Sequence, residues 1–128
     1  MKMLGVDYGT KKVGIAVSDE AARLAFPYAV IPNAGDLAEK ISGICAKENI
    51  EATVIGESRD FDGKPNPVMK KITSLKKKLE QTFGLPVHLE PEFLTSKQAR
   101  NIQEGGALTD ASAAAIILQS FLDKNNKT

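Results

Sequence analysis

The chain has 128 residues, 42% hydrophobic and 26% charged. That is enough to bury a core in one domain, residues 1–128, and it excludes collagen-like, coiled-coil and disordered chains. Lys and Arg number 17 against 16 Asp and Glu, a net charge of +1, so bulk charge gives no argument for nucleic acid or membrane; only its distribution can.

A single cysteine, Cys45, rules out an intrachain disulfide and a cysteine-built zinc site, and its default setting is the reducing cytoplasm. The opening residues Met1 to Asp7 reach a carboxylate too soon for an apolar signal core. The longest apolar run, Ala113 to Leu118, is far below the ~18 residues that suggest a membrane span. No membrane partner is expected.

Met3 to Tyr8 reads as a strand. Tyr8-Gly9-Thr10-Lys11-Lys12 is a turn, and Val13 to Val17 returns as the second arm of a hairpin. A third strand falls between Leu24 and Ile31, with Pro27 marking an edge position or a bulge. The period then changes. Leu37, Ile41, Ile44 and Cys45 recur at helical spacing, with Asp36 as cap and Asn49 as stop. Ala52 to Gly56 is a buried strand, and the helix before it implies a parallel crossover.

The polar stretch Glu57 to Asn66 is long for a plain connection. Asn66-Pro67 starts a helix with Val68, Ile72, Leu75 and Leu79 on one face, ended by Gly84 and Pro86. Val87-His88-Leu89 is the last strand. His88 faces away from its apolar neighbours, and Cys45 belongs to the core. Thr95 and Gln98 form a capping box for a helix to about Glu104, Gly105-Gly106 break it, and Thr109-Asp110 open a final helix to about Leu122. The order β-β-β-α-β-α-β-α-α predicts an α/β fold. Its mixed sheet has three antiparallel strands followed by parallel crossovers, with helices packed on it.

Three acids stand out by position. Asp7 ends the first strand, Glu92 follows the last strand, and Asp110 opens the final helix. If these elements converge, three carboxylates repel one another. A divalent cation relieves that strain, and oxygen-only ligation suits Mg²⁺ or Mn²⁺. Such a cluster directs water onto a phosphodiester. Each acid also has an ordinary use: an Asx-type turn at Asp7, the helix dipole at Asp110, and loop surface at Glu92.

The constellation resembles the YqgF family, also called RuvX, which has an RNase H-like fold. The strongest block is Leu4-Gly5-Val6-Asp7-Tyr8-Gly9-Thr10 continuing through Val13-Gly14-Ile15-Ala16-Val17-Ser18-Asp19. Further blocks are Val54-Ile55-Gly56 with Asp62-Gly63, then Glu92-Phe93-Leu94-Thr95-Ser96 with Ala99. The last runs from Asp110-Ala111 through Ile117-Leu118-Gln119 to Leu122. The resemblance covers nearly the whole chain and implies that Asp7, Glu92 and Asp110 are the catalytic and metal-binding acids. It implies a cytoplasmic, divalent-metal-dependent nuclease that matures the 5′ end of precursor 16S rRNA. Alternatives are a Holliday-junction DNA resolvase with the same site, or a non-catalytic RNA-binding module of ribosome assembly.

The chain departs from the family pattern twice. Gly56-Glu57-Ser58 replaces Gly-Leu-Pro, and Pro91-Glu92-Phe93 replaces Asp-Glu-Arg, which removes a phosphate-binding arginine. In the wider RNase H-like group an acid ending the middle strand often binds metal, so Glu57 is a candidate to supplement or replace Glu92. Asp7-Tyr8-Gly9-Thr10 is also similar to the phosphate loop of the actin and sugar-kinase superfamily, which closes two such domains around ATP.

Between Gly63 and Leu79 lie six lysines and no acid. Lys70, Lys71, Lys77 and Lys78 suit a phosphate backbone or simply a solvated helix face. Lys11 and Lys12 stand nearest Asp7. Aromatic residues are only 5% of the chain, with no tryptophan, so recognition by base stacking is minor and backbone contact with structured RNA or branched DNA is the expected mode. A monomer or weak homodimer is expected.

Overall fold

The computed structural model describes residues 1–57, 67–91 and 110–125. Along them run β1 (Met3–Tyr8), β2 (Lys12–Ser18), β3 (Ala25–Pro32), α1 (Leu37–Glu48), β4 (Ala52–Glu57), α2 (Pro67–Phe83), β5 (Val87–Pro91) and α3 (Asp110–Asn125). The helix expected from Thr95 to Glu104 lies outside the described residues, as do Asn66 and most of the polar stretch before it. The strands form one sheet in the order β3-β2-β1-β4-β5. β1 pairs antiparallel with β2, β2 antiparallel with β3, and β1, β4 and β5 run parallel. This is the mixed sheet that the hairpin and crossover pattern predicts.

Alternation along each strand divides the core into two layers. Leu4 and Val6 of β1, Ile55 of β4 and Val87 of β5 pack with Leu37, Ile41, Ile72, Leu75 and Leu79 of α1 and α2. This is the back of the sheet. On the front, Met3, Ala52 and Val54 pack with Ala114, Ile117, Leu118 and Leu122 of α3. Cys45 belongs to the back core, where burial pushes its thiol pKa up to about 11.

Pro27 marks both features it suggested. β3 is an edge strand, and its register against β2 steps from Ile15↔Ala29 to Ala16↔Pro27, leaving Tyr28 as the extra residue of a bulge. Phe26 and Val30 are exposed on this edge, where the bulge, Pro27 and Pro32 blunt strand addition.

Asp36 is the N-cap of α1, as expected. The Asp36 side chain makes no capping hydrogen bond. Its carboxylate turns instead to the Lys40 ammonium at 3.6 Å, while its carbonyl accepts the Lys40 N–H. Asn49 stops the helix as expected, in the left-handed region at φ 57°, and the Ile50 N–H returns to the Cys45 carbonyl. Gly84, φ 67°, ends α2 in the same manner, its N–H bonding the Glu80 carbonyl. α3 continues to Asn125, one turn past the expected end. No helix among the described residues is long and apolar enough to cross a membrane.

Several residues of the family-like blocks hold the framework. The buried Ser18 hydroxyl accepts the Met3 N–H at 2.8 Å and donates to the Asp19 carbonyl. Asp19 Oδ1 accepts the N–H groups of Arg23 and Leu24, and these bonds hold its carboxyl below the usual range. Gln119 ties α3 to the start of β3, accepting the Ala25 N–H at 2.9 Å and donating to the Arg23 carbonyl at 2.8 Å.

Candidate active site

Asp7 is half-buried near the carboxyl end of β1. Met3, Gly5 and Asp7 share one side of the strand by alternation, so Asp7 belongs to the front face, the face covered by α3. A Cβ on Gly5 would stand 2.7 Å from Leu118 Cβ and 2.9 Å from the Ala114 carbonyl oxygen. Thus α3 presses its backbone directly onto β1 two residues before Asp7. Asp110, the first residue of α3, lies one helical turn before that contact. Asp7 and the start of α3 therefore belong to the same layer of the molecule.

Glu92 lies outside the described residues, one position beyond Pro91 at the carboxyl end of β5. β4 separates β5 from β1, which sets the two strands about 10 Å apart. Among the described residues no three His, Cys, Asp or Glu side chains gather as a metal site.

Glu57 ends β4. It follows Gly56, which is on the front against Ile117, and alternates with it onto the row of Thr53 and Ile55 at the back.

The turn after Asp7 is built tightly. A Cβ on Gly9 would fall 2.3 Å from the Lys12 carbonyl oxygen, so only glycine fits there. Asn33 clamps the turn from below: its side-chain amide donates to the Gly9 carbonyl at 2.8 Å and its N–H to the Lys11 carbonyl at 2.9 Å. Lys11 and Lys12 are exposed at this turn. Sequence reading missed Asn33, whose clamp spans 24 positions and has no local signature.

It also missed Glu90. This carboxylate is 3% exposed and lies on the front, its register partner being Gly56. The Ser120 hydroxyl, at 3.1 Å, and the Lys124 ammonium of α3 both donate to it. The signal was present: strand alternation puts Glu90 on the α3 side, and Ser120 and Lys124 are four apart on one helix face. Lys124→Met leaves a buried carboxylate with one neutral donor. It is expected to lower the unfolding free energy in urea by about 1–3 kcal/mol, and adding Glu90→Gln is expected to restore most of that loss. His88, on the same face, packs its ring on Phe121 at 5.1 Å between centroids.

The lysines of α2 are in the other layer. Lys70, Lys71, Lys77 and Lys78 are exposed on a helix that covers the back of the sheet.

Residues 1–124 match the family model described as RuvX: Holliday junction resolvase. A protein of Nitratidesulfovibrio vulgaris named "putative pre-16S rRNA nuclease" is 34% identical over 133 residues, covering 96% of this chain and 94% of that protein. The fold is similar to Thermus thermophilus RuvC, with TM-score 0.65 and 14% identity over 98% of this chain and 96% of that one. It is equally similar to the Fowlpox virus resolvase in complex with Holliday junction DNA, with TM-score 0.65 and 14% identity over 99% and 100% of the two chains. These structural likenesses establish the RuvC-type, RNase H-like architecture. By the extent of its match to the family model, the chain belongs to the RuvX family of Holliday junction resolvases.

Proposed function

We propose that this protein is a divalent-metal-dependent endonuclease of the cytoplasm that hydrolyses phosphodiester bonds in the 5′ leader of precursor 16S rRNA. The observation that carries the reading is the shared placement of Asp7 and the first turn of α3 on one sheet face, fixed by the Gly5 contact. The name of its relatives supports the RNA substrate.

The proposed ligands, Asp7, Glu92 and Asp110, form an all-carboxylate donor set, which fits a hard cation such as Mg²⁺ or Mn²⁺ and excludes soft-metal sites. When bound, such an ion supplies activation of water and neutralisation of the phosphoryl oxygens. The chain's own part is to orient the reacting phosphate. Asp7 holds the position at the strand end, the Asn33-clamped turn fixes the backbone beside it, and Lys11 and Lys12 bind flanking phosphates.

The family's description favours a second reading, resolution of four-way DNA junctions at the same site. Labelled precursor 16S RNA and a labelled four-way junction, each incubated with the protein and Mg²⁺ or Mn²⁺, separate the two. Discrete cleavage of the RNA with the junction intact is the expected result. Junction cleavage alone establishes the resolvase, and binding of RNA with no cleavage in either metal establishes a non-catalytic assembly module.

A further inference from the structure

Tyr8 follows Asp7 in sequence and alternates to the back of the sheet, where it packs against the edge of the back core. There it forms one wall of a groove of about 190 Å³ between the start of α1 and one face of α2. The α2 wall is Lys71, Ser74, Leu75 and Lys78, at positions i, i+3, i+4 and i+7 of a single helix face. Lys71 and Lys78 stand about 10 Å apart along the axis. Both charged residues lining the groove are cationic. Among the described residues Lys71 has no ion-pair partner, whereas Lys78 bonds Glu39 Oε1 at 3.0 Å with both side chains about half exposed. A groove lined by two lysines, Ser74 and Tyr8, with Glu39 reaching only the Lys78 end, fits an extended anion.

We propose that this groove is a second phosphate-binding subsite, holding the sugar-phosphate backbone of the nucleic-acid strand a short distance from the bond cut at Asp7. The inference rests on the nuclease reading above and adds the path of the strand. From the front face it crosses the carboxyl edge of β1 at Tyr8 and enters the groove at the back, where Lys71 and Ser74 contact its phosphates and Lys78 is shared between phosphate and Glu39. The lysines of α2 then act on a reaction that takes place on the opposite layer. Glu39 opposes binding, because its carboxylate both occupies Lys78 and repels the incoming phosphate.

The test is fluorescence anisotropy of a fluorescein-labelled precursor 16S leader RNA with the full chain in EDTA, across a salt series, alongside cleavage in Mg²⁺. Lys71→Ala is expected to weaken binding roughly three- to tenfold and to reduce the slope of log Kd against log salt by about one. Glu39→Gln is expected to tighten binding severalfold, a direction that loss of folding does not produce. Lys47→Ala, exposed in the last turn of α1, is expected to bind as the parent does. If the parent binds and cuts RNA while Lys71→Ala and Glu39→Gln match it in affinity and salt slope, the subsite is overturned and the nuclease reading stands. If the parent binds no RNA in EDTA or with metal, both are overturned together.

Discussion

Asp7→Asn is expected to reduce Mg²⁺-dependent cleavage by at least roughly 10²–10³-fold, the loss seen when one charge-stabilising group is removed from a transition state. The substitution keeps the shape of a half-buried side chain and removes only its ability to carry negative charge. RNA affinity measured in EDTA should therefore stay within about twofold of the parent, since the phosphate contacts proposed for Lys11, Lys12 and Lys71 are untouched. Single-turnover cleavage against Mg²⁺ concentration distinguishes a weakened ion site, which shifts the curve, from a lost one, which flattens it. Calorimetric titration with Mn²⁺ gives an independent reading: the parent should show a site that the variant lacks. Parent-like cleavage by Asp7→Asn would take Asp7 out of the chemistry, and with it the reason for placing the reaction on the front of the sheet.

The sheet was legible because its residues carry two clean periods. Alternation in β1, β2 and β4 and the Leu37-Ile41-Cys45 and Ile72-Leu75-Leu79 stripes each report burial directly. Pro27 announced the edge and the bulge because proline cannot donate to a ladder. The layers were harder to read. A lysine-rich α2 looks like a companion to an acidic site until alternation in β1 assigns Asp7 to the front and the Leu4-Val6 row to α2 at the back. The face of Glu57 was hidden for the same reason, because its place at a strand end says nothing of its face until Gly56 is found against Ile117. Asn33 acts through a bond spanning 24 positions that no local pattern encodes, whereas the partners of Glu90 are 30 and 34 positions away but marked by strand alternation and by the four-residue spacing of Ser120 and Lys124. Asp36 stands at the N-cap of α1 as its sequence position indicates, with its carboxylate beside Lys40 and no side-chain capping bond.

Gly5 shows how a residue with no side chain sets the geometry of the proposed site. Gly5→Ala would place a methyl 2.7 Å from Leu118 Cβ and 2.9 Å from the Ala114 carbonyl. Neither neighbour is the free end of a flexible side chain, so α3 itself must move away from β1. Overpacking of this kind costs about 1–3 kcal/mol, which for a chain of this size lowers Tm by roughly 5–15 °C. Gly43 in α1, where an added Cβ meets nothing within 4 Å, provides the contrast. Gly43→Ala removes backbone freedom from a helix and should raise stability by about 0.5–1 kcal/mol. Thermal melts of the two variants should therefore shift in opposite directions. The catalytic effect of Gly5→Ala should exceed what unfolding explains. Measured well below its own Tm, cleavage should still fall, because the displaced helix carries Asp110 one turn from the contact. A Gly5→Ala protein that melts at the parental temperature and cuts at the parental rate would mean that α3 does not lie this close to β1. The proposed pairing of Asp7 with the start of α3 would then lose its structural basis.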